Sequence, residues 1–288
     1  MKEFIVDYDI DLKKYNTYRI GGKAKYLIKP NDVFDVVDLI DDLNKNNVKY
    51  YVLGGGSNVI LPDEDFDGAI IKLDKINDFY LKDDLLFAGA GLSLSSFVKK
   101  ALDYEFVNLA NLFGIPGTLG GAIIGNAGAY GMCIFDFLVS VLIYQDGAIK
   151  LINKENINYS YRYTEFKNAN LIVLGGVFKL QKGDASKAWD TINKNLELRK
   201  SKQPLEYPSA GSVFKNPEGQ SAGFLIEKSG LKGYKVNDAQ VSLKHANFII
   251  NLQNAKSCDI KKLINIIKEK VKSESGTLLE LEQIIVEW

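Results

Sequence analysis

Two periods of apolar and polar residues run along this chain and mark out its elements. Over 33–43 (VFDVVDLIDDL), Val33, Val36, Val37, Ile40 and Leu43 recur at helical spacing, with Asn31-Asp32 placed to cap the first turn. An apolar run at 50–53 reads as a strand and leads straight into Gly54-Gly55-Gly56-Ser57-Asn58, and 69–73 reads as a second strand. Together these predict a small α/β part at the N-terminal end. Residues 85–88 read as a strand, and 94–102 as a helix with apolar positions 94, 97, 98, 101 and 102. Segment 138–152 reads as two strands around Asp146-Gly147, a pair that favours a tight hairpin turn, and 171–180 is another strand. Beyond Asp184 the period becomes helical again, with Trp189, Ile192 and Leu196 in one stripe and Pro204 past its end. Residues 260–271 form an amphipathic helix whose lysine face reads as solvated surface, and 283–288 read as a closing strand.

Composition narrows the class. A chain of 288 residues is too long for one ordinary core, so two or three domains are expected, drawn at 1–73, 74–183 and 184–288. Acidic and basic residues balance at 36 each, which gives no electrostatic footprint for a nucleic-acid binder. Two separated cysteines, Cys133 and Cys258, imply no disulfide framework, and with one histidine, His245, no zinc site is expected. The acidic start MKEFIVDYDIDLKKY does not read as a secretory signal, and no apolar run is long enough for a membrane span. A cytoplasmic, monomeric protein with no membrane or nucleic-acid partner is the expectation.

Glycine is concentrated in two stretches, Gly54-Gly55-Gly56-Ser57-Asn58 and 114–131 (GIPGTLGGAIIGNAGAYG). Glycine lets backbone approach a ligand without a Cβ in the way, and successive N–H groups make a concave nest for an anion such as phosphate. Neither stretch is a GxxxxGK[ST] loop or a GxGxxG turn between strand and helix. One cluster alone reads equally as tight turns. Two suggest a single extended phosphate-bearing ligand contacted from two sides.

In order along nearly the whole chain, these segments resemble the UDP-N-acetylenolpyruvoylglucosamine reductase (MurB) family. Asn16-Thr17-Tyr18-Arg19-Ile20-Gly21-Gly22 matches its opening motif, the two glycine stretches its FAD pyrophosphate loops, and Tyr161-Arg162-Tyr163 before Phe166 its central motif. Gly211-Ser212-Val213-Phe214-Lys215-Asn216-Pro217 matches its serine motif, and Ala222-Gly223 with 239–251 (AQVSLKHANFIIN) completes the pattern. The compact connection after Ser212 resembles the shorter family type, which lacks an extra tyrosine-bearing loop. The resemblance implies an α+β fold: an FAD-binding fold of the vanillyl-alcohol-oxidase type with two α/β subdomains, followed by an α+β domain that binds the UDP sugar. It also implies NADPH-dependent reduction of UDP-N-acetylglucosamine enolpyruvate to UDP-N-acetylmuramate, a step in peptidoglycan synthesis and so in cell shape and division.

Carried over position by position, the resemblance assigns FAD contacts to Tyr18, Arg19, Gly54, Gly55, Gly56, Ser57, Asn58, Gly117, Thr118, Gly120, Gly121, Gly125, Asn126, Ala127 and Gly128. It assigns UDP-sugar contacts to Arg199, Lys202, Lys215 and Asn216. The catalytic set is Arg162 to hold the substrate carboxylate, Ser212 to deliver a proton, and Glu282 to hold the enol system or its proton. The chain departs from the family's Glu-Val-Arg-like end: the tail reads Leu279-Glu280-Leu281-Glu282-Gln283, so Glu280, on the same face of a strand as Glu282, stays open as the acidic residue. No histidine or cysteine lies in the N-terminal loops, so the FAD is expected to be non-covalent. Two other readings fit the glycine loops: an oxidase of the same flavin fold, and a nucleotide-binding module without catalysis. For His245, structural and substrate-pocket roles are both open.

Overall fold

The computed structural model describes residues 4–288, so the first three residues of the acidic start lie outside the described residues. The chain forms two compact units. One comprises the chain up to Tyr8, Tyr26–Gly55 and Gly68–Leu196, and the other Asp9–Lys25, Gly56–Asp67 and Glu197–Trp288. This differs from three consecutive domains. The cause is local to the second unit, where residues 9–25 and 56–67 are captured by the C-terminal chain: Ile284–Ile285 pairs in parallel with Val59–Ile60, and Asn251 donates to the Tyr18 carbonyl.

In the first unit, helix α1 (Val33–Lys45) begins where Asp32 accepts the Asp35 N–H. Tyr50–Val52 then pairs in parallel with residues 69–71 of the strand Phe66–Ile71. Helix α2 (Leu94–Asp103) is capped by Ser93 and buries the five apolar positions that its period predicts. Five antiparallel strands form a sheet in the order Ala148–Asn153, Leu138–Gln145, Ile172–Lys179, Leu85–Gly89, Phe79–Lys82. Its hairpin turns at Asp146-Gly147 (φ 53° and 77°), the left-handed pair that a two-residue turn needs. A short helix, α3 (Leu119–Gly125), lies inside the second glycine stretch and was not predicted. Helix α4 (Ala185–Lys202) buries Ala188, Ile192 and Asn195, so its inner face lies one residue from the expected stripe. Asn195 can be inside because its side-chain amide donates to Asn111 Oδ1 (3.0 Å) and its backbone carbonyl accepts from the Tyr130 hydroxyl (3.2 Å).

The second unit packs helices α5 (Ala222–Lys228) and α6 (Ser257–Ser275) with a three-stranded antiparallel sheet, Lys235–Val236, Ala239–Val241 and Ile249–Asn251. Its core includes Tyr18, Ile20, Ile60, Phe214, Ile249 and the α6 stripe Ile260, Leu263, Ile264, Ile267 and Val271. The expected closing strand 283–288 is only Ile284–Ile285, after which Trp288 stacks on Phe66 at 4.3 Å. Among the described residues no helix is long and apolar enough to cross a membrane, and no cluster of three metal-ligating side chains occurs.

Candidate functional site

The first unit brings the two glycine stretches together. A Cβ at Gly54 would lie 2.8 Å from Thr118 Oγ1, and one at Gly55 would lie 2.6 Å from the Gly117 Cα. Backbone therefore meets backbone, and side chains on Gly54 or Gly55 would push the loops apart. Gly117 itself sits at φ 117°, a conformation that other residues rarely adopt. Thr118 caps α3 by accepting the Gly121 N–H.

The remaining glycines of the second stretch divide by neighbour. A Cβ on Gly120 would lie 2.9 Å from the Ala90 Cβ, and one on Gly128 would lie 2.9 Å from the Cys133 Cα, so these two serve packing of the chain on itself. At Gly121 the nearest atom would be 3.6 Å away, and at Gly125 nothing lies within 4 Å. Gly125 also has no positive φ. The left-handed residue is Asn126 (φ 43°), the C-cap of α3. Asn126 is buried, its amide donating to the Ser160 carbonyl (2.8 Å) and its Oδ1 accepting from the Phe135 N–H (3.4 Å). Its side chain is thus spent on the protein, and the backbone N–H of Ala127 donates to the Ala122 carbonyl.

Arg162 lies in the turn between Tyr159–Ser160 and Tyr163–Thr164, at φ 56°. Its guanidinium donates to the carbonyls of Gly128 and, at 3.5 Å, Asn126, and sits 5.0 Å from the centre of the Tyr161 ring. Thr164 Oγ1 donates to the Ile124 carbonyl at 2.6 Å. The Arg162 turn and residues 124–128 are therefore one tied structure, which sequence spacing did not reveal.

In the second unit, Gly56–Asn58 meets the opening motif and the C-terminal tail. Thr17 donates its N–H to Gly56 O (3.0 Å), Asn58 Nδ2 donates to Glu282 O (3.2 Å), and Ile284 N donates to Asn58 O (2.9 Å). Arg19 is exposed at φ 57°. Tyr18 is fully buried, and its hydroxyl donates to Gln283 Oε1 at 3.0 Å. The Tyr18 ring, expected to contact FAD, is thus enclosed by protein. Burial pushes the phenol well above its ordinary range, so it is a neutral donor.

Ser212 follows Gly211 (φ 75°) in a turn braced from three sides. Gln283 Nε2 donates to Ala210 O (3.0 Å) and Gly211 O (3.3 Å). Val213 N donates to Asn247 O, and the Asn247 side chain exchanges bonds with Phe214 N (3.0 Å) and Phe214 O (2.8 Å). Glu282 N donates to Val213 O at 2.9 Å, so the backbone of Glu282 runs opposite Val213, the residue after Ser212. Glu280 is different: it is exposed, and its carboxylate pairs with the Lys215 ammonium. That pair engages Lys215, which was expected to face the UDP sugar. Asn216 is exposed, its Oδ1 accepting from Ala222 N (3.1 Å); Lys202 is exposed and Arg199 half-buried. Gln283 and Asn247 brace the Ser212 turn and were passed over in the sequence, although Asn247 lies within the matched stretch 239–251 and Gln283 next to Glu282. His245 accepts the Asn247 N–H on Nδ1 (3.2 Å) and packs edge-on to Phe248, and burial lowers its pKa.

Known proteins carry the same features. Residues 203–286 match the family described as "UDP-N-acetylenolpyruvoylglucosamine reductase, C-terminal domain", and residues 24–152 match "FAD binding domain". A Clostridium tetani protein named UDP-N-acetylenolpyruvoylglucosamine reductase is 39% identical over 276 residues, covering 96% of this chain and 90% of its own. A Fusobacterium nucleatum protein of the same name is 39% identical over 281 residues, covering 96% and 97%. The crystal structure of UDP-N-acetylenolpyruvylglucosamine reductase (MurB) from Thermus caldophilus superposes with a TM-score of 0.83 at 32% identity, over 100% of both chains. With an FAD-binding domain, a matching C-terminal domain and relatives of this identity over almost its full length, the chain belongs to the UDP-N-acetylenolpyruvoylglucosamine reductase family.

Proposed function

We propose that the protein is a UDP-N-acetylmuramate dehydrogenase, reducing UDP-N-acetylglucosamine enolpyruvate with NADPH to supply a peptidoglycan precursor. It would act as a monomer in the cytoplasm, with no membrane or nucleic-acid partner. The observation that carries this reading is the meeting of the two glycine stretches at Gly55 and Gly117, in a chain whose Ser212 and Glu282 are held by one brace. The residues present fit FAD. Gly54, Gly55, Gly117 and Thr118 form a cradle that side chains would fill, with open space at Gly125. FAD held there would supply the hydride chemistry between NADPH and the enolpyruvyl double bond.

The protein's own residues handle charge and the proton. Negative charge grows on the substrate carboxylate and α-carbon. A guanidinium presents N–H donors in a planar fork that matches a carboxylate, and Arg162, held on the Gly128 and Asn126 carbonyls, is the group that grips the substrate carboxylate. Ser212 gives the α-carbon a proton. A hydroxyl is a weak acid in water, but an enolate carbon is a strong base. Glu282 holds the enol system, and Arg199 and Lys202 contact the UDP sugar. The experiment that tests the function is NADPH oxidation dependent on the enolpyruvyl sugar nucleotide in air. Turnover with little peroxide is expected, and stoichiometric peroxide without need of that substrate would indicate an oxidase.

The two acidic residues give a second test. Glu280→Gln removes an exposed ion pair, so turnover should stay near wild type with about 0–1 kcal/mol lost in stability. Glu282→Gln should lower turnover strongly at unchanged stability. Steady-state rates and melting temperatures check both, and the reverse ranking would return the role to Glu280.

A further inference from the structure

Lys72 immediately follows the strand Phe66–Ile71 and is only 7% exposed. Unpaired lysine is rarely so buried. Its ammonium donates to the Gly54 carbonyl, and its partner is a carboxylate that it shares: Asp74 lies 3.5 Å from Lys72 Nζ and 3.7 Å from Lys29 Nζ. Two cations on one anion leave a net positive charge directly behind the first glycine loop. All described peptide bonds are trans, and a trans peptide points its C=O and N–H in opposite directions. The Gly54 carbonyl is drawn toward Lys72, so the Gly55 N–H faces the other way. Among the described residues, the N–H groups of Gly54 and Gly55 have no protein acceptor.

We propose that Lys72 is a positioning residue for the FAD diphosphate, turning the Gly55 N–H outward to donate to a phosphate oxygen and adding its own positive charge behind that peptide. An ammonium on a carbonyl also polarises the peptide and strengthens the N–H as a donor. The inference rests on the reading that these loops hold the diphosphate. It predicts a proton linkage. In the ligand-free protein, burial lowers the Lys72 pKa, with Asp74 opposing and Lys29 adding to that shift. A bound diphosphate favours the ammonium. FAD binding therefore takes up a proton once the pH approaches the lowered pKa, and affinity falls as the pH rises through it.

The test is dilution of the holoprotein with FAD release followed by flavin fluorescence, from neutral to alkaline pH. Lys72→Met keeps the length of the side chain and removes its charge and donor. It should weaken FAD binding roughly 10–100-fold and flatten the pH profile. The melting temperature of the protein freed of FAD should hold or rise, since a buried ammonium is replaced by apolar chain. Lys72→Gln, which keeps a donor without the charge, should fall between. Wild-type affinity in Lys72→Met, or a pH profile unchanged by it, would overturn the inference, because a merely structural lysine moves stability and not the proton linkage. If Lys72→Met does not fold, the wild-type profile and Lys72→Gln decide; a flat wild-type profile overturns it. Gly125→Val is the control for the loop reading. If it loses FAD while Lys72→Met keeps it, only the role of Lys72 falls; if both keep it, the loop assignment falls.

Discussion

Replacing Ser212 by alanine is expected to split the reaction into an intact half and a crippled half. Bleaching of the flavin band by NADPH requires no proton at the substrate α-carbon and should stay near normal. Recovery of the band on adding the enolpyruvyl substrate requires that proton and should slow ~10²–10⁴-fold, the usual cost of a positioned general acid. The structure makes this a clean experiment. The turn is braced by Gln283 on Ala210 and Gly211, by Asn247 on Val213 and Phe214, and by Glu282 on Val213, and none of these bonds uses the Ser212 side chain. Alanine therefore keeps the turn. Ser212→Cys should recover part of the rate, since a thiol is the stronger acid. Equal slowing of both halves, read by stopped-flow absorbance, would make Ser212 a turn residue only.

Gly125→Val is expected to cost the protein most of its flavin. The usual objection, that valine breaks the fold, does not apply here. Gly125 ends α3 without a positive φ, and a Cβ there meets no protein atom within 4 Å. Valine is also no worse than glycine in a helix. What valine occupies is the open space where a ligand must approach. Loss of even one charge-assisted contact to phosphate, about 1.5–3 kcal/mol, weakens binding roughly 10–100-fold. Flavin content of the purified variant, released by acid into the supernatant as a non-covalent cofactor should be, gives the answer. Full flavin content would remove residues 119–125 from the cofactor site.

What the sequence shows of this fold depends on how local each cause is. The α2 stripe and the Asp146-Gly147 hairpin are legible because the period and the turn chemistry lie within a few residues. Helix α3 is hidden because glycine suppresses the helical pattern, although Leu119, Ala122 and Ile123 form its buried face. The face of α4 is missed by one position because Asn195 looks like a solvated residue until its partners on Asn111 and Tyr130 are known. The capture of 9–25 and 56–67 by the C-terminal chain leaves no local trace, so consecutive domains are the natural reading of the sequence.

The site follows the same rule. Two glycine stretches announce a phosphate cradle, but not which glycine serves it. Gly120 against Ala90 and Gly128 against Cys133 are packing positions, and in sequence they look no different from Gly125. That Tyr18 is enclosed and bonded to Gln283 leaves no local trace, because the two stand 265 residues apart. Lys72 carries no motif at all, and its proximity to the Gly54 carbonyl is a property of the folded chain alone.

The measurement that bears most directly on the account is an anaerobic spectral titration of the purified protein. A bound flavin should show its visible bands, lose them on addition of NADPH, and regain them, without oxygen, on addition of one equivalent of UDP-N-acetylglucosamine enolpyruvate. A reduced flavin that this substrate leaves bleached, and that only oxygen restores, would contradict the assignment.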